Sequence, residues 1–241
     1  MKRVLLIFVV LVIVLLSSCS ASATTQNYIT TGFSNTSSTL TSVHTSVSST
    51  TQIQIKLTIM GTTSYTDESG YFNVVGEVLN SGGSNIKDVM VVATFYDGSN
   101  KVIGTAFTYT ELDIIPANIS APFDILTYPN KIQPASYKLA VQGNVTGIQP
   151  FAGLSTNNSS ASIDGSGYFD IVGEVDNAST QPANAVKVIA TYYDSSNNVI
   201  GMGFTYTTID VIEAGNISPF DLTSYPLKIN PSTYKLQVQG Q

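Results

Sequence analysis

The chain has 241 residues, enough for one large domain or two ordinary ones, with a formal net charge of −6 and only 11% charged residues. That balance removes the electrostatic case for binding nucleic acid, and no polybasic stretch addresses an anionic lipid surface. One cysteine, Cys19, and one histidine, His44, leave no intramolecular disulfide, almost nothing to build a His/Cys metal or haem site with, and no histidine in a folded region to serve a nucleophile.

The chain opens "MKRVLLIFVVLVIVLLSSCSASA". Lys2 and Arg3 precede an unbroken apolar run from Val4 to Leu16, of signal-peptide length and short for a membrane-spanning helix. "LSSC" at Leu16–Cys19 has the pattern of a bacterial-type lipobox, in which Cys19 becomes the lipidated N-terminus. Two alternatives stay open: cleavage after "ASA" at Ala21–Ala23, which releases the chain, or an uncleaved anchor at residues 1–18. All three place the rest of the chain outside the cytoplasm, in the cell envelope and held at the membrane in two of the three cases.

Residues 19–52 follow as a tract in which over half of the positions are Ser or Thr. No sustained alternation or helical period runs through it, and it carries almost no charge. Such a segment cannot bury enough apolar surface to offset its ordering entropy, so a disordered stalk is expected, with His44 solvated in it.

Beyond the stalk the chain repeats itself. Gly70 to Gly143 matches Gly167 to Gly240 at a constant offset of 97 residues without a gap. "VVATFYDGSNKVIG" from Val91 returns as "VIATYYDSSNNVIG" from Val188. The period is too long for a solenoid repeat, so each copy is a domain of its own: residues 53–146 and 147–241. Within each copy the apolar residues alternate with period two. Val89, Val91, Ala93 and Phe95 share one strand face, and Val186, Val188, Ala190 and Tyr192 repeat it. Tyr137, Leu139 and Val141 form another such face, as do Tyr234, Leu236 and Val238. "DGSN" at Asp97–Asn100 and "DSSN" at Asp194–Asn197 are turn sequences, so the repeated stretch is a hairpin with "KVIGTAFTYT" as its return strand. "IQIKLTIM" at Ile53–Met60 is a clear first strand, while its counterpart "PFAGLSTN" is much poorer. Short strands with prolines between them and no 3.6-residue period predict an all-β fold of two tandem antiparallel sandwiches. The short linker predicts that they sit end to end.

"GEVLNSGGSNIKDVMVVATFYDGSNKVIG" resembles the FxLYD domain, a family of extracytoplasmic modules in bacteria and archaea. Tyr96 and Asp97, with Tyr193 and Asp194, match the last two residues of the family's strand-end motif. Ala93 and Ala190 stand at its first aromatic, and Phe95 and Tyr192 at its leucine. The resemblance covers both copies and implies Ig-like sandwiches, often in tandem behind a lipoprotein signal or anchor, with no catalytic residues and no cofactor.

Several side chains have two readings. Asp97 and Asp194 read as the residues closing each hairpin turn; as calcium ligands with Asn100 or Asn197 they offer one carboxylate per turn, too few for that ion. Glu77 and Glu174 read as solvent-facing strand residues, one per domain and too far apart to form a general acid–base pair. The repeated tyrosines 109/206, 128/225 and 137/234 read as core or corner packing, or as an exposed platform for a glycan or protein. Asn118, Asn144, Asn177 and Asn216 lie in N-x-S/T sequons and are candidate glycosylation sites in a host that modifies exported proteins. Asn35, Asn157 and Asn158 fit the pattern too. The expected function is non-catalytic: an envelope-anchored protein displaying two binding or structural modules to a protein or glycan partner at the cell surface. The alternative is an accessory subunit of an envelope enzyme or transporter, which calls for a large exposed apolar patch.

Overall fold

The computed structural model describes residues 55–127, 133–224 and 227–241. The apolar leader, Cys19, the Ser/Thr tract, Asn35, Tyr128 and Tyr225 lie outside the described residues. Among those described there is no helix; all regular structure is antiparallel strand.

The repeated hairpin forms as its alternation predicts. Strand β3 (Asn85–Tyr96) turns back into β4 (Val102–Tyr109), with Val92 opposite Phe107. Val89, Val91, Ala93 and Phe95 are all buried, so the face read from the sequence is the core face. On its other edge β3 pairs with β7 (Ser136–Thr146), which sets Leu139 opposite Ala93 and Tyr137 opposite Phe95. The facing sheet has the order β1 (Leu57–Thr66), β2 (Phe72–Asn80), β6 (Ser120–Leu126). Its inward residues Val74, Val78, Phe123 and Ile125 close the first core. The two-residue β5 (Ile114–Ile115) continues the β4 edge by pairing with Ile86 and Lys87.

The second copy repeats this plan. Strands β8 (Leu154–Ile163), β9 (Phe169–Asn177) and β14 (Ile217–Thr223) form one sheet. Strands β11 (Lys187–Tyr193), β12 (Val199–Tyr206) and β15 (Thr233–Gln239) form the other. The long β3 of the first copy is here divided into β10 (Ala183–Asn184), which pairs with β13 (Val211–Ile212), and β11. The division falls at Ala185, at φ 47°, which aligns with Asp88, at φ 52°. On β3 the register with β7 shifts at this site, between Lys87 and Met90, and in the second copy the strand is interrupted there. Asp accepts a left-handed backbone more readily than Ala, which has no side-chain polar group to bond locally.

The first strand of the second copy, expected together with the linker within residues 144–158, is β8 and runs on to Ile163, although "LSTNNSSASI" is almost wholly exposed. An edge strand is held by its backbone bonds to β9, and that pairing asks little of its side chains. The sandwiches also do not sit end to end. The outer face of β12–β11–β15 lies on the outer face of β1–β2–β6, so Ile189 of β11 belongs to the cluster of the first core. Four sheets therefore stack in sequence, with a core between the first and second, a joint between the second and third, and a core between the third and fourth. The joint explains burial that alternation does not. β2 and β11 are buried on both faces, whereas β9, the counterpart of β2, leaves Val172 exposed.

Candidate functional site

Glu77 occupies the middle of β2, on the face opposite the core residues Val74 and Val78. Its expected solvent exposure is overturned by the second sandwich, which covers it. Three donors meet its carboxylate. Lys235 Nζ donates to Oε1 at 2.7 Å, Ser120 Oγ to Oε1 at 2.8 Å, and Tyr193 Oη to Oε2 at 2.9 Å. Lys235 Nζ also reaches Ser120 Oγ at 2.8 Å, and Gln237 Nε2 donates to the Ser120 carbonyl at 2.8 Å. Burial, and next the Glu77 carboxylate, push the Tyr193 hydroxyl up, so it remains a proton donor at any physiological pH. At the rim Lys187 pairs with Glu111, and Thr63 Oγ1 donates to the Val199 carbonyl. A buried carboxylate with this many donors is the pattern of a structural clamp between two modules.

Asp124 lies on the same outer face, opposite Val75 in the β2–β6 pairing. Burial first, then Glu111 and Asp67, push its carboxyl up to about 6. The same burial, with Asp124 and Asp67 nearby, raises the Tyr65 hydroxyl.

The family-motif residues are split by the fold. Asp97 and Asp194 close their hairpins as Asx-turns. Asp97 Oδ1 accepts from the N–H groups of Ser99 and Lys101, both at 2.9 Å. Asp194 Oδ1 accepts from Ser196 and Asn198, both at 2.8 Å, and Oδ2 accepts from Asn198 Nδ2 at 2.9 Å. Hydrogen bonds from Asn198 hold the Asp194 carboxyl below the usual carboxylate range. Asp67 and Asp164 build the same turn ahead of β2 and β9, a repetition visible in "DESGY" and "DGSGY". Tyr193 enters the joint, while Tyr96 stays on the outer face with Lys138 Nζ 5.6 Å from its ring centre.

The sequons divide as well. Asn118, Asn144 and Asn216 are exposed. Asn177 is buried, and its Nδ2 donates to the carbonyls of Gln181 and Ile212, both at 2.8 Å. That position leaves no room for a glycan on the folded chain. Asn80 makes the matching bonds to Ser84 and Ile115, so the Asn of "GEVxN" is a loop clamp in both copies.

Of the tyrosine pairs, Tyr137 and Tyr234 pack edge-on against Phe72 and Phe169 beside the cores. Tyr109 and Tyr206 do not. Each is more than half exposed and forms a T-shaped pair with an exposed phenylalanine, Phe107 or Phe204, at 6.4 and 6.3 Å between ring centres. Lys187 Nζ stands 4.1 Å over the Phe204 ring. Tyr206 also borders a cleft of about 600 Å³ between the sandwiches, lined among others by Asp113, Ile148, Phe151, Lys187 and Gln239. It brings together one carboxylate and one amine, and that amine is already paired with Glu111. Among the described residues no group of three or more His, Cys, Asp or Glu is placed to hold a metal ion.

No protein-family model matches the chain, and no curated protein matches it. Among solved structures it is similar to red sea bream transglutaminase, with 11% identity and a TM-score of 0.27. The likeness covers 79% of this chain and 29% of that one. At that score it says nothing about activity.

Proposed function

We propose that this is a non-catalytic, envelope-anchored surface protein that displays two sandwich modules for binding at the cell surface. One observation carries the reading. The same exposed aromatic pair stands on the return strand of both copies, Phe107 with Tyr109 and Phe204 with Tyr206. Exposed rings with a polar tip suit the faces of sugars and the apolar spots of proteins. Two such pairs on one chain give bivalent attachment, which raises avidity without any new contact. The resemblance to FxLYD domains and the lipobox-like "LSSC" support an anchor at Cys19. A single acyl chain holds weakly, so a stable lipid anchor carries more than one.

The test combines two measurements on cells that express the full chain. The N-terminal peptide of the membrane-extracted protein is identified by mass; an acylated Cys19 is expected, and a peptide starting near Thr24 would sink the anchor. A photo-crosslinker placed at Tyr109 or Tyr206 on intact cells is expected to capture a surface glycan or protein. Its failure at both positions would remove the binding role. The accessory-subunit reading draws on the exposed Val102, Phe107 and Tyr109, and it predicts one stoichiometric envelope partner in the same crosslinks.

A further inference from the structure

The joint between the sandwiches is asymmetric. It uses the β1–β2–β6 outer face of the first copy and the β12–β11–β15 outer face of the second. Because the copies are duplicates, each also owns the face that the other one used. The outer face of β4–β3–β7 is the counterpart of β12–β11–β15, and the outer face of β8–β9–β14 is the counterpart of β1–β2–β6. Both lie at the ends of the four-sheet stack, uncovered.

Part of the joint recurs on these free faces at the offset of 97 residues, although Gln237, which bonds to the Ser120 carbonyl, is Ala140 there. Glu77 becomes Glu174, Lys235 becomes Lys138, and Tyr193 becomes Tyr96. The apolar centre recurs too. Val75 is 0% exposed in the joint and its counterpart Val172 is 46% exposed; Val199 is 0% and its counterpart Val102 is 52%. Ile189 and Thr191 correspond to Val92 and Thr94. One end of the stack thus presents a lysine, a tyrosine and valines, and the other presents the glutamate and valine that such a face covers inside the chain. Phe107 and Tyr109 stand beside the first group as Phe204 and Tyr206 stand beside the internal joint, which leaves those two rings about half exposed.

We propose that a second copy of this chain docks head to tail on these faces: β4–β3–β7 of one molecule covers β8–β9–β14 of the next, repeating the internal joint. The contact is heterologous, so successive molecules extend as an open stack or close into a ring. Certain departures weaken it relative to the internal joint. Lys187 and Glu111, which pair at the rim, are replaced by Met90 and Thr208. Ser120 is replaced by Ile217. Gly61, whose absent side chain leaves room beside Val199, is replaced by Asn158, and Asn158 Nδ2 donates to Glu174 Oε2 at 2.7 Å. Asn158 adds bulk where Gly61 is bare and already occupies Glu174 Oε2, so Lys138 is left Oε1, and the contact is weaker than the internal joint.

The test is sedimentation velocity on the full chain in mild detergent, from about 1 μM to about 1 mM. Wild type is expected to pass from single chains to larger species across this range. Glu174→Lys and Lys138→Glu each bring like charges together at the new contact and are expected to raise the half-assembly concentration at least about tenfold. A mixture of the two variants is expected to assemble again, because each then meets only opposite charge, which a misfolded variant cannot achieve. Asn158→Gly is expected to lower the half-assembly concentration. Wild type that stays a single species throughout overturns the proposal. So does assembly indifferent to both reversals, or a mixture that fails to recover. A single-species wild type whose Lys138 crosslinks another surface protein assigns the face to that partner instead.

Discussion

Glu77 and Glu174 are the same residue in the repeat, with different surroundings, and this makes a controlled experiment. Glu77→Ala removes the acceptor for Tyr193 Oη, Lys235 Nζ and Ser120 Oγ at the joint. Hydrogen bonds to a charged group are worth about 1.5–3 kcal/mol each, and stripping one partner from a buried pair adds the cost of the group left behind. Lys235 is 37% exposed, so its ammonium turns to water and its share is discounted accordingly. The Tyr193 hydroxyl loses a charged acceptor inside the joint, leaving an expected loss of about 3 kcal/mol for the variant. For a cooperative unit of about 190 residues that lowers the melting temperature by about 6–12 °C. Glu174→Ala removes one bond to Asn158 at the surface and is expected to stay within about 0.5 kcal/mol of wild type. The chain has 13 Tyr and no Trp, so thermal melts followed by tyrosine fluorescence and far-UV circular dichroism, run at dilute concentration, report both variants. Equal shifts for the two substitutions would refute the joint as the source of Glu77's burial.

Asp124 gives the joint a pH signature. Its carboxyl is pushed from 3.8 to about 6 in the folded chain, so the folded state holds a proton that the unfolded state releases. Stability is therefore greatest below pH 4 as far as this group is concerned, and falls as pH rises through 6, by at most about 3 kcal/mol. Asp124→Asn is expected to flatten that fall in urea titrations at pH 4 to 7, and an unchanged difference between those pH values would contradict it. Asn80→Ala and Asn177→Ala should each cost about 2–4 kcal/mol, since each leaves buried carbonyls without a donor. Asn177→Ala should cost somewhat more than Asn80→Ala in chemical denaturation, because Asn177 Oδ1 also accepts from Ser179 Oγ at 2.6 Å, where the first copy has Gly82.

The sandwich architecture was legible because period-two alternation reports a strand with one buried face, and β3 has such a face at Val89, Val91, Ala93 and Phe95. The turns were legible at Asp97 and Asp194 because Asp bonds its own downstream backbone, whatever lies around it. The joint was not legible, because alternation describes a strand and its own sandwich only. Thr94 and Thr191 are the same residue in the same strand, yet Thr191 is buried and Thr94 is not fully so. A signal did exist in "VVGEV", where adjacent valines precede the Glu, so that both faces of β2 carry apolar side chains. It could not settle which copy is covered, since "IVGEV" in the second copy carries the same signal and stays open. Tyr109 and Tyr206 were equally ambiguous, because a tyrosine at a strand end has the same sequence appearance whether it points to the core or to water.

The polar atoms left over in the joint indicate how it is composed. Among the described residues, Asp124 Oδ1, Thr191 Oγ1 and Gln237 Oε1 are buried without a hydrogen-bond partner, and all three lie on its two faces. A core selected as a core would have replaced such groups by apolar ones, since each unpaired group costs free energy when water is removed. Here the faces keep the character of sandwich exteriors that have been brought together. Threonine, glutamine and a carboxylate surround a few valines and one isoleucine. The same mixture keeps the free faces compatible with water, where Lys138, Thr94 and Glu174 stand among Val92, Val102 and Val172. A face of this kind is compatible with both states, covered and uncovered, and the charge pair within it gives the contact its specificity. Reversing one charge at Glu174 or Lys138 is therefore expected to act on assembly while leaving each sandwich folded, and the two reversals are expected to compensate each other.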